Sequence, residues 1–146
     1  MISNGIRETR ELKMWLAVRA DLSLSPGKMA VQAAHAAGHL HLIVQHGHPD
    51  LLAAYLRDAT PKIAVRVESE AALKRVALEA SKAGIPCYTV ADAGRSEIDS
   101  GTETVCMFGP AYRDELPSFL RRLQILGADS KSGSQLADAT NKEPSP

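Results

Sequence analysis

The sequence is short of most features that mark a secreted, membrane-bound or nucleic-acid-coating protein. It has two cysteines, Cys87 and Cys106, too few to staple an extracellular scaffold. Free cysteine is among the commonly buried residue types, so both thiols are expected in the core, not as nucleophiles. No stretch approaches the ~18 apolar residues of a membrane span. Met1 to Glu11 is mixed and polar, without the apolar run of roughly seven residues that a secretory signal needs. A cytoplasmic location with no membrane contact is therefore expected. Charge of one sign is also lacking. Lys plus Arg and Asp plus Glu number 17 each, which argues against a broad duplex-binding surface but allows a substrate gripped at a few phosphates. There is no Gly-x-Ser-x-Gly elbow for a Ser-His-Asp hydrolase. Gly27-Lys28 is not a phosphate loop of the nucleotide-binding kind, because Leu22 and Met29 stand where a glycine and a Ser or Thr are required. His35 and His39 form an i, i+4 pair, but no Cys or acid at helical spacing completes a zinc site. No metal and no organic cofactor is expected.

What remains is one domain's worth of alternating strands and helices, at residues 12–126, between two polar ends. Met1 to Glu11 and Gly127 to Pro146 are too poor in apolar residues to offset chain entropy and are expected to be disordered tails. Lys13 to Arg19 is almost continuously apolar, a strand covered on both faces. Ser25-Pro26 caps and opens a helix expected to reach about His46, with Gly47 as its stop. A short helix follows at Asp50 to Asp58. Lys62 to Val67 alternates, with Ile63, Val65 and Val67 inward. A helix over Glu70 to Ala83 ends at Gly84, strands are expected at Ile85 to Val90 and Thr104 to Phe108, and a last helix at Asp114 to Ile125. Alternation of this kind implies helices on a largely parallel or mixed sheet.

Two segments carry more polarity than such a scaffold needs. Lys28, Gln32, His35 and His39 fall on one helical stripe, with His46 on the same line, among small neighbours (Ala30, Ala33, Ala34, Ala36, Ala37, Gly38). A solvated face explains that stripe as well as a site does. At the helix start, Gly27 and Lys28 offer backbone N–H groups at the positive end of the dipole, beside a lysine, an arrangement that favours a phosphate. The loop Ala91 to Glu103 follows a strand's carboxyl end, where ligands collect in open α/β sheets. A parallel pairing of the first and third strands would bring Asp92 and Lys28 to one edge. Asp92 alone can simply cap a turn, and Thr104 can simply form strand. Together they supply a carboxylate, an ammonium and hydroxyls, sufficient for water-driven ester hydrolysis.

These residues also stand in recognisable motifs. Val18-Arg19-Ala20-Asp21-Leu22, Gly27 to Ala36, Asp92-Ala93-Gly94-Arg95-Ser96-Glu97-Ile98, Gly101 to Val105 and Gly109-Pro110 resemble, in order and spacing, the peptidyl-tRNA hydrolases of archaea and eukaryotes. That family is structurally unrelated to the common bacterial enzyme. The resemblance covers about Lys13 to Ile125. It implies an α/β fold, a three-layer α/β/α sandwich on a mixed, roughly four-stranded sheet, often dimeric. It also implies hydrolysis of the ester of peptidyl-tRNA, with the 3′ end and acceptor arm as the partner bound. The family's site carries over to Asp92, Lys28, His35, Ser96 and Thr104 as catalytic candidates and to Gln32, with Arg95 beside them, as substrate contacts; Gly27 joins the substrate contacts through its place at the helix start. On this reading Asp92 orients or deprotonates water, Lys28 holds a phosphate or the oxyanion with the phosphate favoured, and Ser96 and Thr104 donate to the carbonyl or ribose. Pro26 replaces a usual basic residue, Ser96 a Thr, and Glu97 a Gln. A non-catalytic RNA-binding adaptor and a different esterase on the same scaffold are the alternatives.

Overall fold

The structure, a computed structural model, describes residues 10–93 and 100–127. Strand β1 (Lys13–Arg19) is buried at every position after Lys13. Its side chains alternate between faces: Met14, Leu16 and Val18 enter one core, and Trp15 and Ala17 the other. Both sets must be apolar, hence the unbroken run in the sequence. Trp15 stacks on Phe108, its cross-strand partner, at 5.5 Å between ring centroids.

Helix α1 (Pro26–Gly47) opens with Ser25 as its cap, the hydroxyl accepting from the Lys28 N–H at 3.2 Å. It buries Gln32, Ala36, Leu40 and Val44, one stripe at four-residue spacing. With α2 (Pro49–Leu56) it covers the face of the sheet that carries Leu16, Val18, Val90 and Met107. Helix α3 (Glu70–Lys82), capped by Ser69, covers the opposite face through Leu73, Val76 and Ala80. The sheet between these layers is open and four-stranded, in the order β2-β1-β4-β3. It consists of β1, β2 (Lys62–Val67), β3 (Cys87–Ala91) and β4 (Glu103–Ala111). β1 pairs parallel with β2, and β4 lies antiparallel to both β1 and β3. The first and third strands thus run in the same direction with β4 between them, not as a direct pair. Their carboxyl ends still open on one edge, and that edge holds the site.

Several boundaries depart from the sequence reading. α1 runs through Gly47 and closes with the His48 N–H on the Val44 carbonyl at 2.7 Å, the next helix beginning at once with Pro49. Ile85 is not in β3; its N–H turns back to the Ala80 carbonyl at 2.9 Å, and Gly84 supplies the positive φ for that turn. β4 extends past Phe108 through Gly109-Pro110 to Ala111. The expected helix over Asp114 to Ile125 is replaced by a 3-10 turn at Arg113–Glu115 and a short α4 (Ser118–Arg121). Pro117 holds Leu116 extended, at ψ 137, and breaks the element there. Beyond α4 the chain lies along β2: the Arg66 N–H donates to Gln124 and the Leu126 N–H to Ala64, both at 2.9 Å. Those bonds cover an otherwise open sheet edge. Of the expected tails, Arg10, Glu11 and Gly127 are described. Arg10 pairs with Asp114 at 2.9 Å and lies over the Tyr112 ring. The remainder of both tails lies outside the described residues.

Gly109 is fixed by close approach. At φ +125 a Cβ there would stand 2.7 Å from the Lys13 carbonyl oxygen and 3.0 Å from the Met14 Cα, both backbone atoms. Gly109→Ala is expected to destabilise the fold by on the order of 3 kcal/mol. Urea denaturation measures this, and an unchanged midpoint would contradict it.

Candidate active site

Only the first part of the polar stripe of α1 is sheltered, in the seam between α1 and β3: Lys28 is half-buried and Gln32 buried, whereas His35, His39 and His46 are exposed. Gln32 and Asp92 are both buried. The Gln32 Nε2 donates to the Asp92 Oδ2 at 3.0 Å, and the Lys28 ammonium forms an ion pair with the same oxygen. The Asp92 side chain is 1% exposed and that of Lys28 16%. A carboxylate so far from water stays ionised only with a cation and donors against it, and α1 supplies both from one face. His39, one turn beyond His35, stacks on Tyr88 of β3 at 4.5 Å and serves packing.

The Asp92 backbone is fixed as firmly as its side chain. Its N–H donates to the Thr102 carbonyl at 2.8 Å, and its carbonyl accepts from the Gly101 N–H at 2.7 Å. Gly101 has φ +87, a conformation that suits glycine. Nearby, the buried Arg19 guanidinium joins the ends of β1 and β4. It binds Asp21 through two hydrogen bonds, at 2.7 and 3.2 Å, and donates to the Glu103 carbonyl at 3.1 Å. The hydrogen bonds that Arg19 donates to Asp21 hold the Asp21 carboxyl below its ordinary range and raise Arg19.

Above the Lys28–Asp92 pair lies a cavity of about 450 Å³, lined by Gly27, Lys28, Gln32, His35 and Asp92 together with Ser25, Val31, Val90, Ala91 and Ala93. Five of the expected site residues therefore share one cavity. Thr104 does not join them. It sits fully buried where the β3–β4 register shifts, Val90 facing Val105 and Ala91 facing Glu103, and its hydroxyl donates to the Val90 carbonyl at 3.4 Å. Arg95 and Ser96 lie outside the described residues. The Lys28 N–H, expected to await an anion, is taken by the Ser25 cap. Gly27 lines the cavity beside that cap.

The sequence reading missed Val31, which is 52% exposed on α1 and walls the cavity beside Val90 and Ala91. A valine three residues after Lys28 and four before His35 was the available signal, since exposed helix positions rarely gain from valine. The cysteines lie on the α3 face: Cys106 is buried and Cys87 half-buried. The hydrogen bond between them lowers the Cys87 thiol and raises Cys106, which burial raises further. Neither lines the cavity.

The family model described as peptidyl-tRNA hydrolase PTH2 matches residues 12–126. A peptidyl-tRNA hydrolase of Thermococcus onnurineus is 41% identical over 114 residues, covering 78% of this chain and 97% of its own length. One from Methanocaldococcus jannaschii is 30% identical over 115 residues, covering 79% of this chain and 100% of its own. The human protein named peptidyl-tRNA hydrolase 2, mitochondrial is 31% identical over 118 residues, which is 81% of this chain and 66% of that protein. Matched in this way from Leu12 to Leu126, the chain belongs to the peptidyl-tRNA hydrolase PTH2 family.

Proposed function

We propose that this chain hydrolyses the ester joining a peptide to the 3′ ribose of tRNA, and that the cavity between α1 and β3 is where it does so. The observation that carries the reading is the buried Asp92, bound by Lys28 and Gln32 at the floor of that cavity. Asp92 orients the attacking water and takes its proton as the water oxygen bonds to the ester carbonyl carbon. Lys28, held at the floor by its ion pair, faces the carbonyl oxygen as negative charge develops there. This placement favours the oxyanion role over the phosphate role expected from the sequence, because an ammonium bound to a buried carboxylate is poorly placed to reach out to tRNA. Phosphate binding falls instead to the α1 N-terminus at Gly27. The carbon–oxygen bond to the ribose then breaks, and the proton passes to the departing ribose oxygen. Gln32 positions Asp92, and His35 contacts substrate at the cavity wall. Arg95 and Ser96 keep their proposed roles at the substrate. Thr104 becomes a positioning residue that acts through Val90.

The acceptor arm as the part of tRNA bound, the cytoplasm as the place of reaction and a homodimer belong to the same proposal. Exposed Leu42 and Ile43 on α1 support self-association, and light scattering measures it; a monomer at micromolar concentration would remove the dimer.

The reading is tested with N-acetyl-aminoacyl-tRNA and its unblocked counterpart. The free α-ammonium of the latter would approach Lys28 as a like charge, so the blocked ester should be preferred in kcat/KM by on the order of tenfold or more. Binding of tRNA by folded protein without cleavage would favour the adaptor alternative.

A further inference from the structure

The two edges of the sheet differ. The outer edge of β2 is bonded to residues 124–126. Among the described residues nothing pairs with the outer edge of β3. The Gly109 N–H donates to the Pro86 carbonyl at 2.9 Å, which makes these two a hydrogen-bonded pair. With the register running from Cys87 opposite Phe108 to Val90 opposite Val105, the inward-bonding positions recur at Tyr88 and Val90. Asp92 continues the series through its bonds to Thr102 and Gly101. Cys87, Thr89 and Ala91 therefore turn their backbone N–H and C=O groups away from the sheet. Ala91 is exposed and the other two partly so.

This row of donors and acceptors ends one residue before Asp92. We infer that the peptide of the substrate adds to β3 as a fifth strand, parallel to it, with its esterified carboxyl end at Asp92. The inference rests on the peptidyl-tRNA reading above. Direction follows from that placement: a peptide whose last carbonyl is attacked beside Asp92, and which lies along β3, has its amino end toward Cys87. Five strand residues at ~3.3 Å each give a platform of roughly 16 Å, room for about four or five peptide residues. Strand addition reads main chain through hydrogen bonds and leaves side chains to pockets. On this edge the pocket is the cavity wall of Val31, Val90 and Ala91, so the edge takes peptides of varied sequence while still requiring an extended, acylated main chain.

The test uses the full-length protein and a series of N-acetylated esters on one tRNA, from a single aminoacyl group to a hexapeptide. KM is expected to fall by on the order of tenfold between one and four residues and to level off near five. N-methylation of alternate peptide amides, those facing β3, should abolish the gain, whereas N-methylation of the intervening amides should leave it. Exchanging side chains beyond the last residue should change KM little. A KM independent of length, or equal effects of N-methylation at every amide, would overturn the inference while cleavage of N-acetyl-aminoacyl-tRNA continued. Loss of that basal cleavage would instead mark failure of the underlying reading.

Discussion

Asp92→Asn is expected to lower turnover of N-acetyl-aminoacyl-tRNA by about 10²-fold or more while the protein stays folded. The amide retains the shape of the carboxylate, and its oxygen still accepts from Gln32 and Lys28 as Oδ2 does now. What it loses is the capacity to take a proton and the full negative charge opposite Lys28. Because the side chain is nearly sealed from solvent, the substitution also removes a buried ion pair, and removing one partner of such a pair costs up to about 3–5 kcal/mol. Thermal unfolding must therefore be measured beside the kinetics. A cooperative melt with turnover lost supports the catalytic role. Near-normal turnover would reduce Asp92 to the part its backbone already plays, joining the end of β3 to Gly101 and Thr102.

Lys28→Ala separates two functions of one ammonium. With Lys28 at the oxyanion, turnover should fall by roughly 10²- to 10³-fold, and the salt dependence of tRNA binding should keep its slope. With Lys28 on a phosphate, binding should weaken and the slope should flatten by about 0.7 to 0.9. The ion pair to Asp92 leads us to expect the first result. The variant also strands a buried carboxylate, whose protonation at higher pH would itself remove the base. Measuring turnover across pH distinguishes this: an activity regained at high pH belongs to Asp92, and a loss constant across pH belongs to the oxyanion contact. Normal binding, slope and turnover together would make Lys28 a bystander.

Much of this arrangement was legible before the fold. The apolar run of β1 and the alternation of β2 gave both strands at their observed bounds, because burial on two faces and on one face leave different patterns. Ser25-Pro26 marked the start of α1 through capping chemistry that is local to those residues. Lys28, Gln32 and His35 were found by helical spacing, and Asp92 by its place after a strand. What was hidden is tertiary. Nothing in the sequence says that Gln32 is buried while His35, almost one turn on, is exposed, since both are polar residues on one stripe. Thr104 reads as an available hydroxyl until the register shift between β3 and β4 places it in the interior. Pro117 falls in the first turn of the helix expected over Asp114 to Ile125, a place that proline can fill; that the chain instead leaves α4 to cover the β2 edge depends on a strand about sixty residues earlier. The strand expected to end at Phe108 runs on through Gly109-Pro110, and the close approach to Lys13 that demands glycine there is visible only once β1 and β4 are paired.

The most direct measurement is a single turnover of N-acetyl-aminoacyl-tRNA by the purified chain in heavy-oxygen water, with the released acid examined by mass spectrometry. The account predicts free, intact tRNA and one heavy oxygen in the carboxyl group of the acid from the first turnover, as direct attack by water beside Asp92 requires. Folded protein that releases no acid, or a first-turnover acid without the label, would contradict it; the latter would mean that a protein oxygen, not water, attacks the ester.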